Sequence, residues 1–162
     1  LLISSCDTKA PFAPSLPTAA GFRVDNGILK LWTGTPCNNV TGITLTLDSG
    51  TPQSTDQTWS TPHPGVSLEH MPLLGAPTPS TPLEVRTPLP TTYDWTKATT
   101  LTLYLTAPNT HAARADIPQL LRESPQHPPD AYLFGAQGWL TPADVTRENQ
   151  KTFLTICTPD PK

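Results

Sequence analysis

Two segments of the chain alternate apolar and polar side chains with a period of two. In Ile43-Thr44-Leu45-Thr46-Leu47 the aliphatic residues fall on one face and the threonines on the other, and Leu101-Thr102-Leu103-Tyr104-Leu105-Thr106 repeats the pattern. Successive side chains of a strand point to opposite faces, so each segment reads as a half-buried strand giving one apolar face to a shared core. Phe22-Arg23-Val24, then Asp25-Asn26-Gly27, then Ile28 to Trp32 reads as strand, turn, strand, because Asn-Gly tolerates positive φ at both positions. Thr33-Gly34-Thr35-Pro36 is expected to end that run. Val66-Ser67-Leu68, Leu83 to Arg86, Tyr132-Leu133-Phe134 and Phe153 to Ile156 are shorter strand candidates. The pattern predicts an all-β fold, an immunoglobulin-like or related β-sandwich of about seven or eight short strands with minor helix.

Helical signals are few. Asp116 to Arg122 predicts one short helix, and a second is expected to start at Thr141, with Pro142 in its first position and Asp144 in its third. From Gly50 to Pro64, and again from Leu74 to Pro90, the density of Pro, Thr and Ser predicts long loops.

Composition supports the β reading. The 162 residues suffice for one domain with a real core, and 21 prolines with 14% charged residues, against about 25% in ordinary soluble domains, disfavour long helices. A net charge of −3 offers no basic footprint, which argues against nucleic acid as a partner. The longest apolar run is too short to span a bilayer as a helix, so any membrane link is expected to be an anchor or a segment outside this sequence.

Candidate chemistry is sparse. No G-x-S-x-G, H-E-x-x-H, P-loop or G-x-G-x-x-G pattern occurs, and no catalytic residue, metal or cofactor is assigned. His63, His70, His111 and His127 are scattered at spacings that match no common metal site, and read as solvated loop residues. Of the four tryptophans, Trp32 and Trp139 read as core or core-edge packing. Trp59 and Trp95 lie in polar, Thr-rich surroundings and are the candidates for contact with a partner, although core packing is the preferred reading for both. Asn39-Val40-Thr41 fits the N-glycosylation pattern, and its place in a turn before a strand explains it without a sugar.

The amino end carries an address. Leu1-Leu2-Ile3-Ser4-Ser5-Cys6 is apolar, then small, then Cys, and resembles the end of a bacterial lipoprotein signal peptide. The resemblance implies cleavage before Cys6, a diacylglycerol on its sulfur, and further signal peptide upstream of Leu1. Residues 7–20, with Pro11, Pro14 and Pro17, suit an extended tether reaching roughly 43 Å at about 3.1 Å per residue. The expected organisation is a signal remnant at 1–5, a lipidated Cys6 and tether over 6–20, and a β-sandwich domain over 21–162. Lipidation of Cys6 leaves Cys37 and Cys157, expected to form a disulfide suited to an oxidising compartment. Two unpaired buried cysteines is the competing reading.

Gly21 to Asn26-Gly27, Leu31 through Cys37, and the closing Trp139-Leu140-Thr141-Pro142 and Ile156-Cys157-Thr158-Pro159, with Cys6 ahead of them, resemble small cell-envelope lipoproteins of mycobacteria and corynebacteria. The resemblance implies a place on the outer face of the cell membrane, held by lipid on Cys6. The expected function is a non-enzymatic module that binds or supports another envelope component, with an envelope protein complex as candidate partner. A carrier of lipid or another apolar ligand is the alternative, and an envelope hydrolase ranks third.

Overall fold

The structure, a computed structural model, describes residues 16–75 and 83–160. It opens with a two-residue strand, β1 (Thr18–Ala19), followed by β2 (Gly21–Asp25) and β3 (Ile28–Val40). Asn26 and Gly27 make the expected hairpin turn between β2 and β3 with φ of 51° and 77°. Next come β4 (Gly42–Asp48), β5 (Ser54–Ser60), β6 (Val66–Leu74), β7 (Glu84–Thr87), β8 (Thr100–Thr106) and β9 (Ala113–Asp116). The last third holds helix α1 (Ile117–Glu123), β10 (Tyr132–Leu133), β11 (Trp139–Leu140), helix α2 (Pro142–Glu148) and β12 (Leu154–Thr155). Three single turns of 3₁₀ helix lie between them.

These strands form two five-stranded antiparallel sheets packed as a sandwich. The first has the order β11-β10-β2-β3-β6 and the second β7-β5-β4-β8-β9, while β1 and β12 pair in parallel beside them. The alternating segments do what their period requires. Ile43, Leu45 and Leu47 of β4 stand opposite Leu105, Leu103 and Leu101 of β8, and Ala113 and Ala115 of β9 continue the same rows. Phe22, Leu29 and Leu31 face them from the first sheet, all three fully buried in one cluster with the second sheet's leucines.

Four departures from the sequence reading have physical causes. β3 does not stop at Thr33: Gly34, at φ +88°, allows a bulge after which the strand resumes its pairing with β6 at Cys37 and Val40. A Cβ at Gly34 would lie 2.6 Å from Thr155 Cγ2, so the close approach of β12 also demands glycine there. The expected loop from Gly50 contains β5, paired with β4 over its whole length. Its polar sequence fits a strand with only one buried side chain, Trp59. The domain also starts before Gly21, because Thr18 and Ala19 pair with β12 and Ala20 is buried in the core. Lastly, β6 runs well past Leu68 and carries Pro72, which the edge position of the strand permits.

Both helices start as expected. The Asp116 side chain accepts from the Gln119 N–H at 3.0 Å to cap α1. Thr141 and Asp144 form a reciprocal capping box at α2. Residues after β9 then clothe the first sheet on the side away from the main core. There Trp32, Tyr132 and Phe134 pack with Val145 of α2 and with Phe153, Ala19 and Leu140.

Two long-range ties fix this covering. Arg23 of β2 is almost wholly buried, and its guanidinium donates to the carbonyls of Pro128, Ala131 and Ser124 at 2.6, 2.5 and 3.1 Å and to both oxygens of Asp25. Burial pushes the Asp25 carboxyl up, but hydrogen bonds from Arg23 and Lys30 outweigh it and hold the group below its ordinary range. The second tie is the Cys37–Cys157 disulfide, with Cα atoms 5.4 Å apart and a sequence separation of 120.

A bridge closing so long a loop is worth up to about 4–5 kcal/mol in the chain-entropy description. Replacing Cys37 and Cys157 together by Ser should therefore lower the thermal midpoint by on the order of 10 °C in calorimetry. A shift of a degree or two would mean that the bridge constrains little.

The capping box gives a pH dependence. The Thr141 backbone N–H, then Arg147 and the Thr141 hydroxyl, hold the Asp144 carboxyl at about 2 instead of the ordinary 3.8. A carboxyl depressed in the folded state stabilises fully above its unfolded value and loses that contribution as pH falls through the folded one. Protection of the Thr141, Asp144 and Val145 amides, measured relative to their intrinsic exchange rates, should fall between about pH 4 and pH 2. Asp144→Asn should exchange fast at both ends of that window, and an unchanged pH profile in the variant would remove the cap from the account.

Candidate functional site

With the first sheet clothed on its outside, the outer face of the second sheet is the large regular surface left open among the described residues. Its geometry follows from period two, because each strand that sends leucines inward sends polar residues outward. Registered pairing aligns these residues in rows. Ser54, Asp48, Thr100 and Asp116 form one row, Asp56, Thr46, Thr102 and Arg114 the next, and Thr58, Thr44 and Tyr104 the third. Neighbours within a row are about 4.8 Å apart and successive rows about 6.7 Å apart. Every position in these three rows carries a hydroxyl, a carboxylate or a guanidinium.

Tyr104 stands near the middle of this lattice with half its surface exposed, at 50%. It and the 38%-exposed Val85 and 37%-exposed Leu121 are the exposed large hydrophobic residues among those described. Beside it, where β8 meets β9, a cleft of about 360 Å³ is lined by Asp48, Thr100, Thr102, Arg114, Asp116 and Gln119, with Ala115 and Gly135 at its rim. Arg114 is exposed and forms no ion pair among the described residues, so its donors face the cleft uncommitted. Asp116 already caps α1 with one oxygen. Chemically the face offers an aromatic platform, a grid of hydroxyls and a mixed-charge cleft.

The residues singled out in the sequence are distributed differently. Cys6 lies outside the described residues. Cys37 and Cys157 are joined. Trp59 and Trp95, the candidate partner contacts, are 3% and 9% exposed and belong to the main core, so packing is the role the structure gives them. Trp59 is held inward opposite Ile43 by the alternation of β5, and Trp95 sits in a 3₁₀ turn capped by Asp94. Their polar sequence neighbours point the other way.

Of the histidines read as solvated loop residues, His63, His111 and His127 lie outside helices and strands, and His70 is corrected to a strand position. His70 lies on β6 and stacks on Trp32 with ring centroids 5.7 Å apart and planes 4° apart, and His127 stacks on Trp139 at 4.3 Å and 12°. The carboxylate of Glu69 accepts from the Trp32 indole N–H at 3.3 Å. Glu123 accepts from the Trp139 indole N–H at 2.8 Å, which draws its carboxyl below the ordinary range. These are packing arrangements on the clothed sheet. Among the described residues no group of three His, Cys, Asp or Glu is placed to hold a metal ion, and no helix is long and apolar enough to cross a membrane. The space between the sheets holds Ile43, Leu45, Leu47, Leu101, Leu103 and Leu105 with Phe22 and Trp59.

Tyr104 was readable in the sequence as the polar-face member of an otherwise leucine and threonine strand. Arg114 and Asp116 were not, because Ala113-Arg114-Ala115-Asp116 has too little apolar bulk to register as a strand.

Substitution should separate the two classes of aromatic. Trp59→Ala should cost about 3–5 kcal/mol in urea unfolding, while Tyr104→Ala should stay within about 0.5 kcal/mol of wild type. Equal effects would contradict the assignment of one to the core and the other to the open face.

Compared with protein-family models, with the curated proteins and with the solved structures, the chain matches none.

Proposed function

We propose that this chain is a non-catalytic module of the cell envelope, anchored to the outer face of the membrane by lipid on Cys6, which binds or supports another envelope component through the outer face of its second sheet. One observation carries the choice of surface: the first sheet is clothed by the C-terminal third of the chain, whereas among the described residues nothing is packed over the outer face of the second, which presents Tyr104. An exposed aromatic residue set in a rigid sheet is a favourable contact, since it brings a large area at little entropic cost. The disulfide supports an oxidising, extracytoplasmic address. The apolar and small residues before Cys6 support the anchor. The clothed side then serves as a rigid backing.

Anchor and face make separable contributions to retention. Protein extracted from its own membrane should carry acyl mass on Cys6, and unmodified Cys6 would contradict the anchor. Cys6→Ala should leave the membrane yet still co-sediment with isolated envelope fragments. Adding Tyr104→Ala to Cys6→Ala should abolish that sedimentation while the thermal midpoint stays unchanged; sedimentation that persists would contradict the face.

A further inference from the structure

We infer that the open face takes an uncharged glycan chain, with Tyr104 as the stacking platform and the Arg114 cleft as the anchor for sugar hydroxyls; the inference rests on the binding-module reading above. The composition of the three rows decides among occupants. A protein partner calls for an interface centre rich in apolar and aromatic side chains and poor in charge, Ser and Thr. This face is the reverse, with a single aromatic ring among hydroxyls and charges. A lipid surface would need apolar side chains to insert, and the rows contain no aliphatic residue.

Charge narrows the choice further. In the three rows Asp48, Asp56 and Asp116 stand against one guanidinium, Arg114, and at the β7 edge Arg86 is offset by its ion pair with Glu84, so a polyanion such as nucleic acid or an acidic polysaccharide meets net repulsion. What remains is a neutral polymer dense in hydroxyl groups.

The geometry supplies what such a polymer needs. Ionised carboxylates accept only, guanidinium groups donate only, and threonine hydroxyls do either, so together they pair with hydroxyls in any orientation. The spacing of about 4.8 by 6.7 Å within and between rows is comparable to the dimensions of one pyranose ring. A ring lying on Tyr104 places its C–H face on the aromatic face, and the next ring along β8 comes toward the exposed Thr100, with Arg114 and Asp116 beside it and the buried Thr102 beneath. The cleft of about 360 Å³ is of sugar size, and its Arg114 is free of ion pairs among the described residues. A guanidinium left without a carboxylate partner can give two parallel hydrogen bonds to a ligand.

The test uses Cys6→Ala protein and envelope fragments in three preparations: untreated, stripped of protein and lipid by protease and solvent, and stripped then oxidised with periodate, which cleaves vicinal diols. Binding should survive stripping, fall about tenfold after periodate, and change less than about twofold between 50 mM and 500 mM salt, because no polyanion is being neutralised. Tyr104→Ala should weaken binding to stripped fragments about tenfold and Arg114→Ala several-fold, whereas Tyr104→Phe, which keeps the ring, should remain within about twofold. Binding to untreated fragments that disappears on stripping would overturn the glycan and leave the binding module standing with a protein or lipid partner. Binding that survives periodate, or that collapses with salt, would also overturn it. Failure to bind untreated fragments at all would overturn both readings together.

Discussion

The architecture depends on one buried cation. Arg23 is 3% exposed, and all five of its N–H donors are used, three on the carbonyls of Pro128, Ala131 and Ser124 and two on Asp25. The carbonyls of Ser124 and Pro128 also accept from the N–H groups of His127 and Ala131 within single turns, so the guanidinium adds a second, long-range donor to each and ties those turns and the Ala131 carbonyl to β2. Tyr132 and Trp139 lie 5.9 and 5.7 Å from its centre and complete its surroundings. A buried charge is costly to remove from water and very costly to leave unpaired, which makes the site nearly all-or-none. With Arg23 in place the segment from 124 to 139 is pinned to β2, and the strands and helix that follow are carried across the outside of the first sheet. The disulfide then locks the far end of that segment to β3.

The functional surface is the consequence. A two-sheet sandwich has two outer faces, and this chain spends its last third covering one of them. The face left open among the described residues follows from the same alternation, which fills the core with Leu45, Leu47, Leu101 and Leu103 and turns Thr44, Thr46, Thr102 and Tyr104 to the opposite side, with Thr102 buried there among its neighbours and Tyr104 half exposed. Core and candidate binding surface are therefore two readings of one pattern. The abundance of threonine serves both, since a β-branched side chain favours the strand and its hydroxyl faces solvent.

How much of this the sequence discloses depends on apolar contrast. β4, β8 and the β2–β3 hairpin were legible because bulky residues alternate or because Asn-Gly marks the turn. Both helices were legible from their caps, Asp116 and Thr141. Where contrast is missing the reading failed. β5 has one apolar residue, Trp59, and β9 has only alanines, so neither registers as a strand, and the outward residues they carry could not be placed. Trp59 stood as a candidate contact as well as a packing residue because its neighbours are polar, which in a strand is the expected company of a buried side chain. The long reach of Arg23 to carbonyls more than 100 positions away leaves no local signature at all.

The central claim is that Tyr104 and the rows around it are occupied in the envelope while the clothed side is not. Hydroxyl-radical footprinting of intact cells, set against the purified protein, reads this directly. The account predicts that Tyr104 is oxidised several-fold more slowly in cells, with His70 on the other sheet unchanged. Equal oxidation of Tyr104 in both settings, or protection that falls on His70 instead, would contradict it.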